Sequence, residues 1–502
     1  MVLNMTNTSV GYAYLLKRTD IKALPLQVSA RVMPVTKVQL IDNTLATPAS
    51  LKPSDKILDH ILFALKYEDL NLQILSQALL QVDESELLAV YESSPMGKYI
   101  RIACLLWEHF HQQSLPRTTE LTRGNYIPLL DPKRFITADN QTNKRWRVHV
   151  NVIGSLDYSI IVKRTERLEK ALAKNTLQKA KEFTDGLDDA MLNRALSWVY
   201  LSETKDSFAI EKEQPDTNKI QRYTNLLRQA HIPRAIDEDY LAELQKATIN
   251  NPYEWAVSYR NEQNYLSNGH GSIGVTYVPP SPNLCRELMK EWEQLTNQLP
   301  EQVDPIVLGA VISFGFVFLH PFMDGNGRLS RFLFHHVLCR SGQLANGLLL
   351  PVSAVLHNKE REYLATLSAY SSGIRTFWQV DYLDAENYVF EFKGHESIYR
   401  HWDGTACAEL MAEACDEAME HYIKQEVAYL NQYDALKRHI NKLYDINDRT
   451  LSKLVVFCLE QSGKISKKRR DQFQYEVPTD AFDALEQAYL EILFKEELDN
   501  TP

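Results

Sequence analysis

The stretch HPFMDGNGRLSR, His320 to Arg331, gathers an imidazole, a carboxylate, a Gly-Asn-Gly turn and two arginines into twelve residues. Each group has a chemistry. Gly325 and Gly327 tolerate positive φ, so consecutive backbone N–H groups can turn inward as an anion nest, with the side chain of Asn326 between them. A helix beginning near Arg328 would set that nest at a helix N-terminus, where the dipole favours negative charge. Arg328 and Arg331 are three apart and share a helix face, so both forks can reach one polyphosphate. Asp324 is a hard oxygen ligand, sufficient for Mg²⁺ that also uses substrate phosphates. His320 titrates near neutrality and is the candidate general base. Together the parts describe a nucleotide-phosphate site with a metal and a base. The bland reading, an interhelical loop with chance charges, requires every group to be idle at once.

The flanking sequence supplies the elements that must hold these groups. "DPIVLGAVISFGFVFL" predicts an apolar helix capped by Asp304 and giving out at His320, because Pro321 disfavours helical geometry before it. "RLSRFLFHHVLCRSG" predicts the following helix, stopped by Gly342. Upstream, "VSYRNEQNYLSNGHGSIGVTYVPPSP" (257–282) alternates as a β-hairpin with a glycine-rich tip. "DDAMLNRALSWVYLSETKDSFAIEKE" (188–213) reads as one long helix halted before Pro215. Helical patterns recur at 219–230, 239–247 and from Asn283. Ser54 is expected to cap a helix with Ile57, Ile61 and Leu65 on one face, and a second helix is expected at 96–110.

The fold class is mainly α. The divisions are an N-terminal segment at 1–53 of no readable class, a mainly helical region at 54–186 with an irregular connection, a long-helix region at 187–216, a core at 217–377 and a helical C-terminal region at 378–502. A chain of 502 residues accommodates two to four domains. Its hydrophobic content of 44% and charged content of 24% are those of a soluble globular protein. A net charge of −10 argues against a nucleic-acid coat. The longest apolar run, 306–319, is shorter than the roughly 20 residues of a membrane span. No C-x-x-C pair occurs among the six cysteines, which excludes a zinc knuckle and suits a reducing compartment. The N-terminus carries no secretory pattern, and a cytoplasmic protein is expected.

His-Pro-Phe-x-Asp-Gly-Asn-Gly-Arg-x-x-Arg matches the signature of the Fic domain family at every fixed position. The resemblance implies an enzyme, a nucleotidyltransferase moving AMP from ATP to a Ser, Thr or Tyr hydroxyl of a target protein. It implies His320 as catalytic base, Asp324 as Mg²⁺ ligand, Gly325, Asn326 and Gly327 around the α-phosphate, Arg328 and Arg331 on the outer phosphates, and Phe322 as loop anchor. ATP is then the co-substrate. "YRNEQNYLSNG" and "VTYVPPSP" resemble the family's flap, which aligns a target segment by main-chain pairing; Tyr265, Leu266, Thr276 and Tyr277 are its residues here. "REYLATLSAYS" (361–371) is similar to the helix closing the family core.

Many family members carry an inhibitory helix, Ser/Thr-x-x-x-Glu-Gly/Asn, whose glutamate pairs with the second arginine. "SFAIEKE" supplies Ser207 and Glu211, with Lys212 departing from Gly/Asn. Two alternatives keep the site: a different nucleotide or phosphate-linked donor, or removal of AMP. A third makes the core a nucleotide sensor or toxin module and the tail, with "KKRR" (467–470), a DNA-binding regulator. The expected partner is a protein with an accessible hydroxyl; self-modification and a homo-oligomer fit, whereas nucleic acid and membrane do not. "GHGSIG" (269–274) opens an extended segment and not a helix, so it is no dinucleotide fingerprint. His335-His336 and His109/His111 lack the i, i+4 spacing of a helical metal pair.

Overall fold

The computed structural model describes residues 8–116, 121, 124–139, 141–249, 253, 255–344, 347–384 and 387–499, with side chains to 491. Arg123 of the irregular Arg-rich stretch and the first seven residues lie outside them. The chain is mainly helical with several small sheets. Among the described residues no helix is long and apolar enough to cross a membrane.

The N-terminal part begins with a short helix, Tyr12–Arg18, followed by a three-stranded sheet. Ser29–Val32 runs parallel to Thr44–Thr47, which pairs antiparallel with Gln39–Ile41. Four helices, Ile57–Tyr67, Leu72–Leu79, Glu84–Ser93 and Lys98–His111, then enclose an apolar cluster from Tyr12 to Leu156. Ser54 is not the cap expected of the first of these. The helix begins at Ile57, and the Ser54 hydroxyl instead donates to Asp59 and accepts from the Lys56 N–H.

The helices around the site are α1 (Asp189–Ile210), α2 (Thr217–Arg228), α3 (Glu238–Thr248), α4 (Pro282–Gln298), α5 (Pro305–Leu319), α6 (Asn326–Arg340), α7 (Val352–Asn358) and α8 (Glu360–Arg375). Helix α5 is apolar on every face, which destines it for the centre; nearly all of its side chains are buried, and Asp304 caps it by accepting from Ile306 N–H at 2.8 Å. Helix α6 lies against it and begins two residues earlier than expected, with Gly325 as its N-cap.

The flap is shorter than a hairpin reading of 257–282 suggests. Strands β1 (Leu266–Ser267) and β2 (Val275–Tyr277) pair antiparallel with a bulge, and Gly271–Gly274 form one helical turn at the tip. Beyond α8 the expected helical region starts as a β-hairpin, β3 (Trp378–Asp384) with β4 (Asn387–Phe392). Its alternating aromatic residues pack under the flap, with Tyr265 against Tyr388 and Phe390.

The core cluster runs from Ile136 to Ile423 and so exceeds the segment 217–377. Strand pairing explains this: His401–Asp403 adds in parallel to Ser159–Lys163, closing a loop of more than two hundred residues onto α5. A third cluster, Leu436 to Ala488, belongs to the C-terminal helices. There the basic run is partly consumed internally. Arg470 pairs with Asp483 and Glu486, and Arg469 stacks on Phe457 at 3.9 Å.

Candidate active site

His320 ends α5 in left-handed geometry (φ 51°), which turns its ring out of the helix and starts the loop to α6. Its Nδ1 lies 3.1 Å from the Val317 carbonyl. A carbonyl only accepts, so Nδ1 carries the proton and Nε2 keeps its lone pair. Burial drives the pKa down to about 4 from 6.5, with Arg260 adding to the fall while the Val317 carbonyl, Glu211 and Asp324 oppose it. The ring is therefore a neutral acceptor at physiological pH.

The loop is held from several sides. Phe322 is buried between Tyr259 and Phe316. The Asn326 side chain accepts from the Phe322 N–H at 3.0 Å and donates to the Phe322 carbonyl at 2.8 Å, so it closes the loop on itself. Its amide thus serves the turn, and what Asn326 adds to an anion nest comes from its backbone. Gly325 has φ +88°, a conformation open to glycine.

Two residues of "YRNEQN" to which sequence reasoning gave no individual role clamp this loop from the flap stem. Arg260 Nε donates to the His320 carbonyl at 2.8 Å, its Nη1 to Glu262 O at 3.0 Å, and its backbone N–H to Pro321 O at 2.8 Å. Asn264 Nδ2 donates to Phe322 O and Met323 O, both at 3.1 Å. The four flap residues divide. Tyr277 is buried with its hydroxyl on Phe318 O, and Tyr265 is half-buried on β4, so both are anchors. Leu266 and Thr276 are exposed, Thr276 Oγ1 donating to Leu266 O at 3.2 Å.

Asp324 stays 58% exposed, 3.3 Å from Arg328 Nη2. Its carboxylate beside the first turn of α6 suits a hydrated Mg²⁺ arriving with phosphates. Among the described residues no cluster of three or more His, Cys, Asp or Glu could hold a metal by itself.

Arg328 and Arg331 of α6 are buried and met by carboxylates from the end of α1. Arg331 donates through Nε to Ser207 Oγ at 2.7 Å and through Nη2 to Ser207 O and Glu211 Oε1, each at 2.8 Å. Arg328 donates through Nη1 to Glu213 Oε2 at 2.6 Å. Burial raises the Glu211 carboxyl pKa, but Arg331, with Arg328 and His320 behind it, outweighs burial and holds the group below its ordinary value. Glu211 also sits over the nest: a Cβ on Gly327 would come within 2.2 Å of Glu211 Oε1. Ser207 and Glu211 are thus brought to the motif as their spacing suggests. Glu213 is an addition, foreshadowed only by the repeat of acid in "EKE".

The backbone explains how one turn delivers two carboxylates. Lys212 N–H donates to Ala209 O and Glu213 N–H to Phe208 O, the paired bonds of a Schellman cap. Lys212 occupies the left-handed position at φ 56°, which Gly or Asn adopts with less strain. Its departure from Gly/Asn thus preserves the turn.

Residues 235–338 match the Fic/DOC family. Curated relatives include the protein adenylyltransferase Fic of Nematostella vectensis, 32% identical over 111 residues (22% of this chain, 24% of that one). The protein adenylyltransferase fic-1 of Caenorhabditis elegans is 30% identical over 152 residues (30% of this chain, 26% of that one). The chain thus spans about a quarter of the length of these two. Similar solved structures include a Fic family protein from Desulfovibrio desulfuricans G20, at TM-score 0.38 and 17% identity over 64% of this chain and 96% of that one. C. elegans Fic-1 (134–508) gives TM-score 0.35 and 15% identity over 74% and 93%. The motif, the matched span and the two curated relatives point the same way: residues 235–338 of this chain are similar to the Fic/DOC family.

Proposed function

We propose that the chain is a protein adenylyltransferase, transferring the AMP part of ATP to a Ser, Thr or Tyr hydroxyl of a target protein, and that Glu211 holds it in a restrained state. The observation that carries this reading is the placement of the Glu211 carboxylate on Arg331 and over Gly327, beside a neutral His320. An anion already sits where a helix N-terminus and a buried guanidinium await one.

In this reading His320 Nε2 takes the proton of the incoming hydroxyl. The oxygen forms a bond to the α-phosphorus, the bond to the bridging oxygen breaks, and pyrophosphate leaves. The first turn of α6 and Arg331 bind the phosphate chain, and the clamp of Arg260 and Asn264 fixes the base relative to it. Asp324 would hold Mg²⁺, which supplies charge neutralisation on the phosphates when bound. The exposed Leu266 and Thr276 face the target segment, while Tyr265 and Tyr277 brace the flap. None of the described cysteines forms a disulfide, which fits a cytoplasmic setting.

Incubation with α-labelled ATP and Mg²⁺ tests the reading. Faint labelling is expected of the wild type, strong labelling of Glu211→Gly and none of His320→Ala. Absence of label in Glu211→Gly, on itself or any protein in a lysate, would sink it. A nucleotide panel read by mass separates the second reading, another donor or AMP removal, which the closeness of Glu211 to His320 keeps open because a carboxylate there can orient water.

A further inference from the structure

Lys219 is the buried cation that the reaction outlined above leaves without a task. It lies on α2, its side chain is 3% exposed, and its ammonium donates to Glu213 Oε1. The other oxygen of the same carboxylate takes the Arg328 bond at 2.6 Å. One carboxylate therefore bridges a lysine and an arginine from two different helices. The Phe208 ring forms an apolar wall beside both, 5.0 Å from the Lys219 nitrogen and 5.4 Å from the Arg328 guanidinium carbon.

We propose that Lys219 is a third cation of the polyphosphate cradle, and that Glu213 occupies it in competition with the ligand's terminal phosphates. This rests on the adenylyltransferase reading and specifies which further residue grips the donor.

The charge balance points this way. Arg328, Arg331 and Lys219 are all nearly inaccessible, at 5%, 4% and 3% side-chain exposure. Glu213 and Glu211 are open to solvent over 32% and 37% of their side chains. The cations form the floor and the carboxylates the removable lid. Both carboxylates come from one turn, so they leave together, and three buried positive charges cannot stay unpaired in an apolar surround. A triphosphate provides the matching negative charge; a monophosphate does not.

Unmet hydrogen bonds agree. Arg328 Nε and Arg331 Nη1 are buried without a hydrogen-bond partner among the described residues. Two carboxylates have too few well-placed oxygens for this set of donors, whereas a phosphate chain offers more. The cradle also survives loss of its lid. Tyr223, one turn on from Lys219, donates to the Arg328 carbonyl at 2.9 Å, so α2 is tied to α6 independently of Glu211 and Glu213.

The test uses the full chain with Glu211→Gly, Glu213→Gln and His320→Ala, which removes the lid and prevents turnover. Affinities for ATP and AMP are measured by titration calorimetry, with Lys219 intact, Lys219→Met and Lys219→Arg. The ATP-over-AMP preference should fall about tenfold with Lys219→Met and return with Lys219→Arg, since a charge-assisted contact to the outer phosphates is lost and restored. AMP binding reports the fold of each variant. An unchanged ATP-over-AMP ratio in Lys219→Met would assign Lys219 to holding the turn alone and overturn the proposal. If Lys219→Met binds neither nucleotide, Lys219→Arg decides: recovery of the ratio supports the proposal, and AMP binding without ATP preference refutes it. Failure of the Lys219-intact chain to bind ATP would refute the underlying reading and this one with it.

Discussion

Glu211 Oε1 lies 2.8 Å from Arg331 Nη2 and directly over the Cα of Gly327, so one carboxylate occupies a guanidinium and the mouth of a helix together. Glu213 pairs with Arg328 from the same turn, so in the proposed reading the restraint is divided between two ion pairs. Removing one carboxylate should release it only in part. Labelling from α-labelled ATP is expected to rise in the order wild type, Glu213→Gln, Glu211→Gly, and the pair Glu211→Gly with Glu213→Gln. Equal labelling of the last two would show that Glu213 contributes nothing.

Lys212 bears on the same equilibrium through backbone strain. Its left-handed φ of 56° costs a lysine about 1 kcal/mol that glycine does not pay. Lys212→Gly should therefore favour the closed turn and lower basal labelling severalfold, while Lys212→Val should raise it. Thermal unfolding of the two variants beside wild type gives the direction independently.

The protonation of His320 sets two pH dependences of the same sign. Its folded pKa, about 4, lies below the ordinary 6.5. The unfolded chain then binds more protons between these values, so the His320 contribution to stability is full above 6.5 and is lost as pH falls towards 4. The base also stays neutral over that range. The acid limb of the labelling rate of Glu211→Gly should therefore fall below pH 6, and lower still than in any variant keeping the carboxylate, since Glu211 raises the imidazole pKa. A limb at 6.5 would contradict the burial argument.

Glu211 titrates in the same sense, over a more acid range. Its folded pKa is depressed, so its ion pair with Arg331 is complete above the ordinary carboxylate range and is lost only as pH falls through that lowered value. Mild acidification to pH 6 should leave wild-type labelling as faint as at pH 7.5.

Arg260 acts through other residues, as a positioning group. Arg260→Lys keeps the charge but loses the fork that spans His320 O and Glu262 O. A destabilisation of about 1–3 kcal/mol is expected, together with a fall in maximal labelling rate larger than any change in ATP affinity. Equal losses in both would show a general collapse of the site.

The motif, the apolar helix before it and the helix after it were legible because local chemistry writes them. Asp304 before Pro305, an unbroken apolar run, His-Pro and Gly-Asn-Gly each constrain their own neighbours. Ser207 and Glu211 were legible through resemblance to the family's inhibitory motif, whose spacing sets both on one helix face. Nothing local told that Glu213 and Lys219 would meet at Arg328, that Arg260 and Asn264 would hold the base loop, or that His401–Asp403 would pair with Ser159–Lys163. Apart from the Lys219–Glu213 pair, six positions apart, those contacts join residues scores to hundreds of positions apart. Their energy depends on which faces pack together, a property of the folded chain that no short window contains.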